Sequence, residues 1–433
     1  MFSKDLCARR ARCASTLALV LALTMPSVRA QDDGGVALDL DEATELALEA
    51  QPVLESLEAE IRAMRETAVA ARALPDPQLR TGISDLPINT GDAGSFTHDA
   101  DTQIQIGLMQ EFPRAQKRRL RGEQFEHEAQ RLEAEYRLAE RSIRRDAGSA
   151  WLELWRGDQG LRLARASLRE AEAQQQAVEI ALKTGTATQA EFLAARQEAD
   201  RLRDEVAGVE QRIAYARHAL SRWIGAAAMR PVCPELADAP ALPSLDSALQ
   251  RVRAHPLLAV AAARLAAAQT GTDLARAAYR SDWRVELAYG YRPAFSEMLM
   301  LQVGVDLPLF TRNRQDRGLA AALAQQDAAA LAIDDIGRQL MAQVRLAHHD
   351  YEWLTIRLKD YEQTLLPQSQ NRIAAALAGW RSGRNALREV LDARRAALDI
   401  QKARLDLQFD RAQRSLELRY LGVLDSNTEE NHE

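Results

Sequence analysis

The 433-residue sequence predicts an α+β fold that is mostly α, and three observations carry this prediction. The second half of the chain repeats motifs of the first half after a shift of about 200 residues, which indicates an internal two-fold duplication. Four short segments alternate apolar and polar residues with the period of two that is typical of β-strands. Long segments rich in Ala, Glu, Leu and Arg place apolar residues in heptads, as coiled-coil helices do.

The first 30 residues have the pattern of a secretory signal peptide. Basic residues begin the segment, residues 15–25 are largely apolar, and Val28-Arg29-Ala30 has the small-x-small spacing of a cleavage site. We therefore expect residues 1–30 to be removed on export. Cys233 is then the last remaining cysteine, so no intrachain disulfide can form, and we interpret it as a bystander thiol.

The duplication divides the rest of the chain. We predict a first repeat at residues 31–229, a Pro-rich connector at 230–245, a second repeat at 246–424 and a flexible tail at 425–433. Two pairs of motifs occupy matching positions in the repeats: Gln51-Pro52-Val53-Leu54 with His255-Pro256-Leu257-Leu258, and Leu182-Lys183-Thr184-Gly185 with Trp380-Arg381-Ser382-Gly383.

Each repeat is predicted to contain a helix, two strands, a very long helix, a tight turn and another long helix. The first helix spans residues 41–73 and ends before Pro75. The long helix runs from about residue 114 to Lys183, roughly 100 Å at 1.5 Å per residue, with Gly157 and Gly160 as points where it breaks or kinks. In the second repeat, Pro367 must interrupt the corresponding helix.

The four predicted strands have one apolar and one polar side. Their length of roughly ten residues suits a tilted strand that crosses a bilayer. Four strands cannot close a barrel, and an open edge in lipid costs several kcal/mol per unpaired backbone group, so the protein must either oligomerise or stay out of the membrane. The polar sides suit the water-filled lumen of a barrel of twelve or more strands, and the predicted lumen residues are Gln78, Arg80, Gln103, Gln105, Arg284, Glu286 and Asp306.

The helices after the tight turns carry the heptads. In the first repeat, Ala199, Val206, Ile213 and Leu220 recur every seven residues, and a second series starts at Ala195. Beyond residue 30 no stretch reaches the ~18 apolar residues that a membrane-spanning helix needs. The acidic residues outnumber the basic ones by 62 to 56, which disfavours a nucleic-acid partner.

Three motifs at strand ends carry a resemblance to a known family. They are Leu74-Pro75-Asp76-Pro77-Gln78-Leu79, Gln110-Glu111-Phe112-Pro113 followed by Lys117-Arg118-Arg119, and Leu307-Pro308-Leu309-Phe310 followed by Arg312-Asn313-Arg314-Gln315. With these motifs the chain resembles the TolC-like outer-membrane efflux factors, in the heavy-metal subgroup typified by CzcC and CusC. The resemblance covers almost all of the chain after residue 30.

The resemblance implies a homotrimer. Its twelve-stranded transmembrane β-barrel, with four strands per chain, crosses the outer membrane, and its helical coiled-coil tunnel continues through the periplasm. A periplasmic adaptor protein of the membrane fusion type docks at the tunnel tip and links it to an inner-membrane pump of the resistance-nodulation-division (RND) type. The implied function is a passive export duct for heavy-metal cations, in contact with outer-membrane lipid.

The resemblance also implies two sets of site residues. The tip turns that dock the adaptor contain Thr184, Gly185 and Thr186 in the first repeat, and Ser382, Gly383, Arg384 and Asn385 in the second. An acidic ring at the periplasmic aperture falls on Glu389 and Asp392, with Glu191 as the match in the first repeat, whereas Ala194 breaks the pattern.

A ring of carboxylates at this position would act on ions by electrostatics alone. Positions 389 and 392 share a helix face, and three copies would bring six carboxylates together, an arrangement that attracts cations and repels anions. The alternative interpretation is that Glu389 is a solvated charge that pairs with a neighbour such as Arg388 or Arg394.

Other candidate ligands carry less weight. His348 and Glu352 are spaced i and i+4 as metal ligands can be, but we favour a plain helix wall because no further ligands accompany them. Met298 and Met300 are close together, with nothing else to support a copper relay. We predict no metal site, no cofactor and no catalytic residue, because the sequence contains no phosphate-binding loop, no His-Glu-x-x-His and no Gly-x-Ser-x-Gly.

Two alternative functions remain open. The same fold serves as a duct for drugs, solvents or type I secretion, and the sequence does not choose the cargo. A periplasmic coiled-coil scaffold or adaptor also has long heptad hairpins. The four amphipathic strands favour the duct, because an adaptor would not place the apolar row from Leu299 to Val305 beside Trp283 and Tyr289.

Overall fold

A computed structural model describes residues 37–89, 91–237 and 241–424. The predicted signal peptide and tail, residues 1–30 and 425–433, lie outside the described residues, as does Pro240 of the predicted connector. The described part is mostly helical and contains one antiparallel sheet of four strands. This confirms the predicted class, α+β and mostly α.

The two halves of the chain contain the same order of elements, except that the long helix after the strands is one helix in the first half and two in the second. The first half contains helix α1 (Leu40–Glu49), helix α2 (Pro52–Arg72), strands β1 (Gln78–Ser84) and β2 (Gln103–Phe112), and helices α3 (Ala115–Lys183) and α4 (Gln189–Ile224). The second half contains helices α5 (Leu245–Arg251) and α6 (Pro256–Ala277), strands β3 (Trp283–Tyr291) and β4 (Met298–Val305), and helices α7 (Gln315–Asp360), α8 (Leu366–Arg381) and α9 (Leu387–Tyr420).

The prediction of one helix over residues 41–73 is wrong, because the chain breaks between α1 and α2. Pro52 occupies the first turn of α2, where its missing N–H is no loss, and Gln51 before it is extended, with φ −97° and ψ 110°. The second half repeats this start, with His255 before Pro256. The imidazole Nδ1 of His255 accepts the Leu257 N–H at 3.2 Å and so caps α6.

Helix α3 runs through both glycines without a break, as a single helix of 69 residues. A Cβ at Gly157 would lie 2.9 Å from Cγ1 of Ile213 on α4, so this glycine allows the two helices to pack closely. The predicted interruption at Pro367 is confirmed. A π-helical turn, Tyr361–Leu365, separates α7 from α8, and the proline follows in the first turn of α8.

The largest buried core lies where α1, α3, α4 and α9 meet. Its centre is Trp151, which is 1% exposed and whose indole N–H donates to the carbonyl of Leu38 at 3.2 Å. Trp155 donates likewise to the carbonyl of Pro234 at 3.0 Å and so ties the connector between the repeats to α3. The heptad positions of α4 are buried at Ala195, Ala199, Leu202, Val209, Ile213 and Leu220.

The sheet has the strand order β1-β2-β3-β4, and every neighbouring pair is antiparallel. Strand β2 leads directly into α3, so the long helices leave the sheet at one end. No helix among the described residues has the length and apolar character needed to cross a membrane.

Candidate functional site

The polar side of the sheet contains all the predicted lumen positions within the strands. The pairing of Arg80 with Gly107, of Gly107 with Ala288 and of Glu286 with Gln302 puts these residues on one face. Asp306 directly follows β4, and its carboxylate lies 3.8 Å from the guanidinium of Arg284. Gln78, Gln103 and Gln105 share this face by the same register.

Long polar side chains lie across this face. The Arg80 guanidinium reaches from β1 over β2 to the Glu286 carboxylate on β3, with an N–O distance of 3.1 Å. Gly107 on β2 pairs with Arg80, and a Cβ at this glycine would lie 2.9 Å from the Cβ of Ala288 on β3. The amide Nε2 of Gln105 donates to the Ser84 hydroxyl at 2.8 Å and approaches the Met300 sulfur at 3.9 Å.

The opposite side of the sheet is largely apolar and exposed, with Thr81 and Gln110 as its polar members within the strands. The register aligns rows such as Ile106, Tyr289 and Leu299 across neighbouring strands. The members of this face that are at least half exposed include Leu79, Ile83, Ile106, Leu108, Leu299, Leu301, Val303 and Val305. Such a patch on a water-soluble surface would be unusually large, so it indicates a contact with lipid or protein.

Aromatic residues lie at both ends of this apolar face. Phe112 and Trp283 stack at the end nearest the helices, with ring centroids 4.5 Å apart and an interplanar angle of 15°. Tyr289 and Tyr291 lie near the other end of β3. Aromatic side chains at two levels, with aliphatic side chains between them, are typical of strands that cross a bilayer.

The sheet has two open edges. In the described part of the chain, β1 pairs only with β2, and β4 pairs only with β3. One side of each edge strand therefore offers unpaired N–H and C=O groups along its length. Because the adjoining face is apolar, these groups need strand partners from outside the chain if that face is to enter a membrane.

The two tip turns have the same backbone geometry. Gly185 and Gly383 have φ of +77° and +68°, which a glycine adopts without strain. The N–H of Thr186 donates to the Ala181 carbonyl at 2.8 Å, and that of Arg384 to the Gly379 carbonyl at 2.9 Å. Both hairpins therefore end in a Schellman motif and turn without a long loop.

The carboxylate of Glu191 is engaged in the tip of the first hairpin. It accepts the backbone N–H of Thr188 at 2.8 Å, while the Thr188 hydroxyl accepts the N–H of Glu191 at 3.2 Å. This capping box starts α4. The backbone N–H of Thr188 lowers the pKa of Glu191, and the Leu387 backbone adds to this effect. Glu191 is therefore a charged cap that also touches the start of α9.

The two acidic positions of the second repeat are exposed. Asp392 lies 3.7 Å from the Arg388 guanidinium, and both side chains are largely open to solvent. Within the described residues, no ion pair or hydrogen bond occupies the Glu389 carboxylate. Ala386, which precedes α9 where Thr188 precedes α4, provides no side-chain cap. Glu389 thus differs from its first-repeat match in having a free carboxylate.

An ion triad around the buried Glu198 joins the two hairpins, and sequence reasoning missed it. The Glu198 side chain on α4 is 7% exposed and accepts Arg201 of the same helix at 2.9 Å. It also accepts Arg395 of α9 at 2.6 Å. Burial alone would raise the pKa of Glu198, but the hydrogen bonds from the two arginines lower it below its ordinary value. The available signal was a glutamate directly before the heptad residue Ala199.

The other residues considered as candidates, His348 with Glu352 and Cys233, form contacts within the fold. His348 is 6% exposed, and its Nε2 lies 3.0 Å from the carbonyl of Pro243, while Nδ1 lies 3.6 Å from Glu352. No group of three or more His, Cys, Asp or Glu suited to a metal ion occurs among the described residues. Cys233 is half-buried and free, and its N–H donates to the Leu38 carbonyl at 2.9 Å.

Comparison with known proteins links this geometry to a family. Residues 43–226 match the family described as "Outer membrane efflux protein". The cobalt-zinc-cadmium resistance protein CzcC of Cupriavidus metallidurans is 24% identical over 395 residues, which cover 89% of this chain and 86% of CzcC.

Solved structures share the fold. A crystal structure of CusC, from work on folding and transmembrane channel formation, superposes with a TM-score of 0.77 at 19% identity and covers 89% of this chain and 92% of CusC. The outer-membrane channel OprN gives a TM-score of 0.74 at 18% identity, covering 88% of this chain and 89% of OprN.

Proposed function

We propose that the chain is the outer-membrane channel of a tripartite efflux system, a function supported by the match of residues 43–226 to the outer membrane efflux protein family. One observation carries the proposal. A single sheet has a largely apolar face, an opposite face that contains the long polar side chains, and two open edges, and it leads directly into long helices. Such a sheet is suited to separate lipid from water once its edges are paired.

The open edges support a homotrimer. Three copies of the sheet, joined edge to edge between β1 of one copy and β4 of the next, form a closed barrel of about twelve strands, wide enough for a water-filled lumen. The nine residues of β3 extend for about 27 Å, which at a tilt of roughly 40° spans about 21 Å. This height is close to the apolar band of about 25 Å in outer-membrane barrels.

The long helices support a periplasmic tunnel with an adaptor at its tip. Helix α3 alone is about 100 Å long, and both hairpins end in compact Schellman turns at Gly185 and Gly383. We propose that these turns, with Thr184, Thr186, Ser382, Arg384 and Asn385, dock the adaptor of an RND-type pump. The energy for transport comes from that pump, so this chain acts as a passive duct and not as an enzyme.

We propose heavy-metal cations as the cargo. The likeness to CzcC supports divalent cations such as cobalt, zinc and cadmium. The exposed carboxylates of Glu389 and Asp392 near the tip also suit a path for cations, because a ring of carboxylates favours cations over anions. The drug, solvent and secretion ducts of the same fold are the competing cargo classes.

Two experiments test the proposal. Membrane fractionation followed by electrophoresis with and without heating should give an outer-membrane trimer that heat converts to monomer. A water-soluble monomer would contradict the channel and favour a periplasmic scaffold. A deletion strain should then lose tolerance to cobalt, zinc or cadmium and keep tolerance to a drug panel. Loss of drug tolerance alone would replace the metal cargo by the competing class.

The strand edges provide a matched pair of variants for the first experiment. Thr81→Pro on the edge strand β1 removes one backbone N–H and strains the edge, whereas Thr97→Pro changes a residue in the β1–β2 loop. If the edges pair between copies, the β1 variant should give less trimer than the loop variant. Equal trimer yields would contradict edge pairing at β1.

A further inference from the structure

The segment between β4 and α7, residues 307–317, has two groups of exposed side chains whose role is unexplained. Its apolar side chains are among the most exposed of the described residues: Leu307 is 67%, Leu309 72% and Phe310 87% exposed. Arginines follow within a few residues, and all of them are exposed: Arg312, Arg314 and Arg317. We call residues 307–317 the β4–α7 segment.

The arginines of the β4–α7 segment have no partner among the described residues. No hydrogen bond or ion pair is formed by the guanidinium of Arg312, Arg314 or Arg317 within this part of the chain. The nearest acidic side chain in sequence, Asp316, accepts the hydroxyl of Tyr279 at 2.6 Å and that of Thr311 at 3.3 Å. The segment therefore presents positive charge that the fold does not neutralise.

The corresponding place in the first repeat provides an internal comparison. There, the backbone N–H of Arg114 and the ammonium of Lys117 donate to the carboxylate of Asp282, just before β3, at 2.9 Å and 2.7 Å. Arg118 donates to the Arg72 carbonyl at 2.9 Å. The cations after β2 thus hold the sheet to the helices, whereas those after β4 are left free for a ligand.

The position of the segment indicates what that ligand is. Val305 pairs with Trp283, whose ring stacks on Phe112 at the helix end of the apolar face. Leu307 lies two residues after Val305 and follows the alternation of the apolar face, and the arginines come after it in sequence, beyond the end of β4. Guanidinium groups bind phosphate oxygens by paired, charge-assisted hydrogen bonds.

We propose that the β4–α7 segment is a binding site for anionic phospholipid. Its three apolar side chains enter the acyl layer, and its three arginines bind the phosphate groups of the adjoining headgroups. This inference rests on the proposed function, since it takes the apolar face of the sheet to lie in a bilayer. A juxtamembrane arginine contributes a binding factor of about fivefold toward an anionic surface.

Lipid titration tests the proposal. The full-length protein purified in a neutral detergent is titrated with dioctanoyl-phosphatidylglycerol, with dioctanoyl-phosphatidylcholine and with inorganic phosphate, and binding is followed by thermophoresis. The test variant combines Arg312→Gln, Arg314→Gln and Arg317→Gln. The control variant makes the same charge change with Arg338→Gln, Arg345→Gln and Arg357→Gln, exposed arginines of α7 that also lack partners within the described residues.

We expect phosphatidylglycerol to bind the test variant more than tenfold more weakly than the wild type, with less than a twofold change in the control. Added salt should reduce wild-type binding, since the contact is electrostatic. Equal affinities of test variant and wild type would overturn the proposal. Inorganic phosphate that binds as tightly as the lipid would also overturn it, in favour of a free-anion site.

A second variant separates lipid from a second copy of the chain and does not depend on removing charge. Phe310→Trp in vesicles of brominated phosphatidylglycerol should show quenching of the added indole fluorescence relative to wild type. Absence of quenching, or loss of the trimer in the arginine variant with unchanged lipid affinity, would assign the segment to subunit contact instead. Planar-bilayer recordings distinguish a failure of the channel function from a failure of the lipid site. A wild type that forms no channels contradicts the proposed function. Normal channels, together with unchanged lipid binding of the arginine variant, contradict only this inference.

Discussion

Removal of the Glu198 carboxylate should separate the two hairpins near the tip. This side chain is 7% exposed and lies between Arg201 on its own helix and Arg395 on α9. Glu198→Ala would remove the ion-pair partner of Arg395, whereas Arg201 would keep a second partner, Glu205, at 3.4 Å. Because α4 and α9 belong to different repeats, the main loss of contact falls between the hairpins.

The expected loss of stability depends on how far each of the three groups is buried. Loss of one partner from a buried pair typically costs about 3–5 kcal/mol. Arg201 and Arg395 are 45% and 48% exposed, so water can solvate part of the charge left behind, and we expect the lower end, about 3 kcal/mol per chain. The exposed pair of Arg165 and Glu210 has a comparable distance, 2.6 Å, yet such pairs contribute only about 0.2–1 kcal/mol.

Urea unfolding followed by circular dichroism measures the difference. With a slope of about 3 kcal/mol per M, Glu198→Ala should lower the midpoint by about 1 M, and Glu210→Ala by no more than about 0.3 M. Glu198→Gln keeps the shape and should lie between them. Equal midpoints for the two alanine variants would refute the view that a buried triad holds α4 to α9.

Three further predictions concern the tip and the fold. Glu389→Ala with Asp392→Ala should weaken cation preference in planar-bilayer recordings, because it removes the exposed carboxylates near the tip. Thr188→Ala should cost about 1 kcal/mol in thermal unfolding by removing the capping box, and Ala386→Thr should recover up to about 1 kcal/mol by creating one in the second repeat. Burial and nearby Arg141 lower the pKa of His255 to about 4. Because the unfolded chain therefore binds the proton at a higher pH than the folded chain does, the free energy of unfolding should fall by up to about 3 kcal/mol as the pH drops from 6.5 to 4. His255→Asn should flatten this pH dependence in urea titrations at several pH values.

A control variant or a contradicting result checks each of these three predictions. Glu55→Ala with Glu58→Ala removes an exposed acidic pair of the same spacing from α2 and should leave ion preference unchanged. Equal changes in both double variants would indicate a general charge effect. Equal stability of the two capping variants would contradict the role of the box. An unchanged pH profile for His255→Asn would show that other groups cause the acid sensitivity.

The pattern of the strands predicted the sheet well, because alternation is a local property of the sequence. Each predicted lumen residue within the strands, for example Arg80 and Glu286, lies on the same face of the sheet. The order of strands and the pairing of β2 with β3 join segments about 180 residues apart, and no local pattern contains that information. The strand order and the pairing of β2 with β3 were therefore not predicted from the sequence.

The helices show where local patterns fail. The break at Gln51 and Pro52 was missed because the flanking residues are strong helix formers, whereas proline at the first turn is compatible with either one helix or two. Gly157 was read as a weak point, yet its missing side chain is what lets Ile213 approach. In both cases tertiary packing decided an outcome that helix propensity left balanced.

Some parts of the candidate site could be predicted from the sequence, and others could not. The tip turns were predictable because a glycine after a long helix implies a positive φ, as Gly185 and Gly383 have. The capping by Glu191 was also present in the sequence as Thr-x-x-Glu, but it was read as an aperture residue instead. The triad around Glu198 depends on how two distant hairpins pack, so only the structure reveals it.

The π-helical turn at residues 361–365 makes the two repeats mechanically unequal. One extra residue in a turn rotates everything beyond it by about 100° around the helix axis. The first repeat thus supplies one uninterrupted long helix, α3, while the second supplies two helices, α7 and α8, joined by a π-helical turn. We expect bending of the long helices to concentrate at this turn, so the hairpin of the second repeat should move more freely than that of the first.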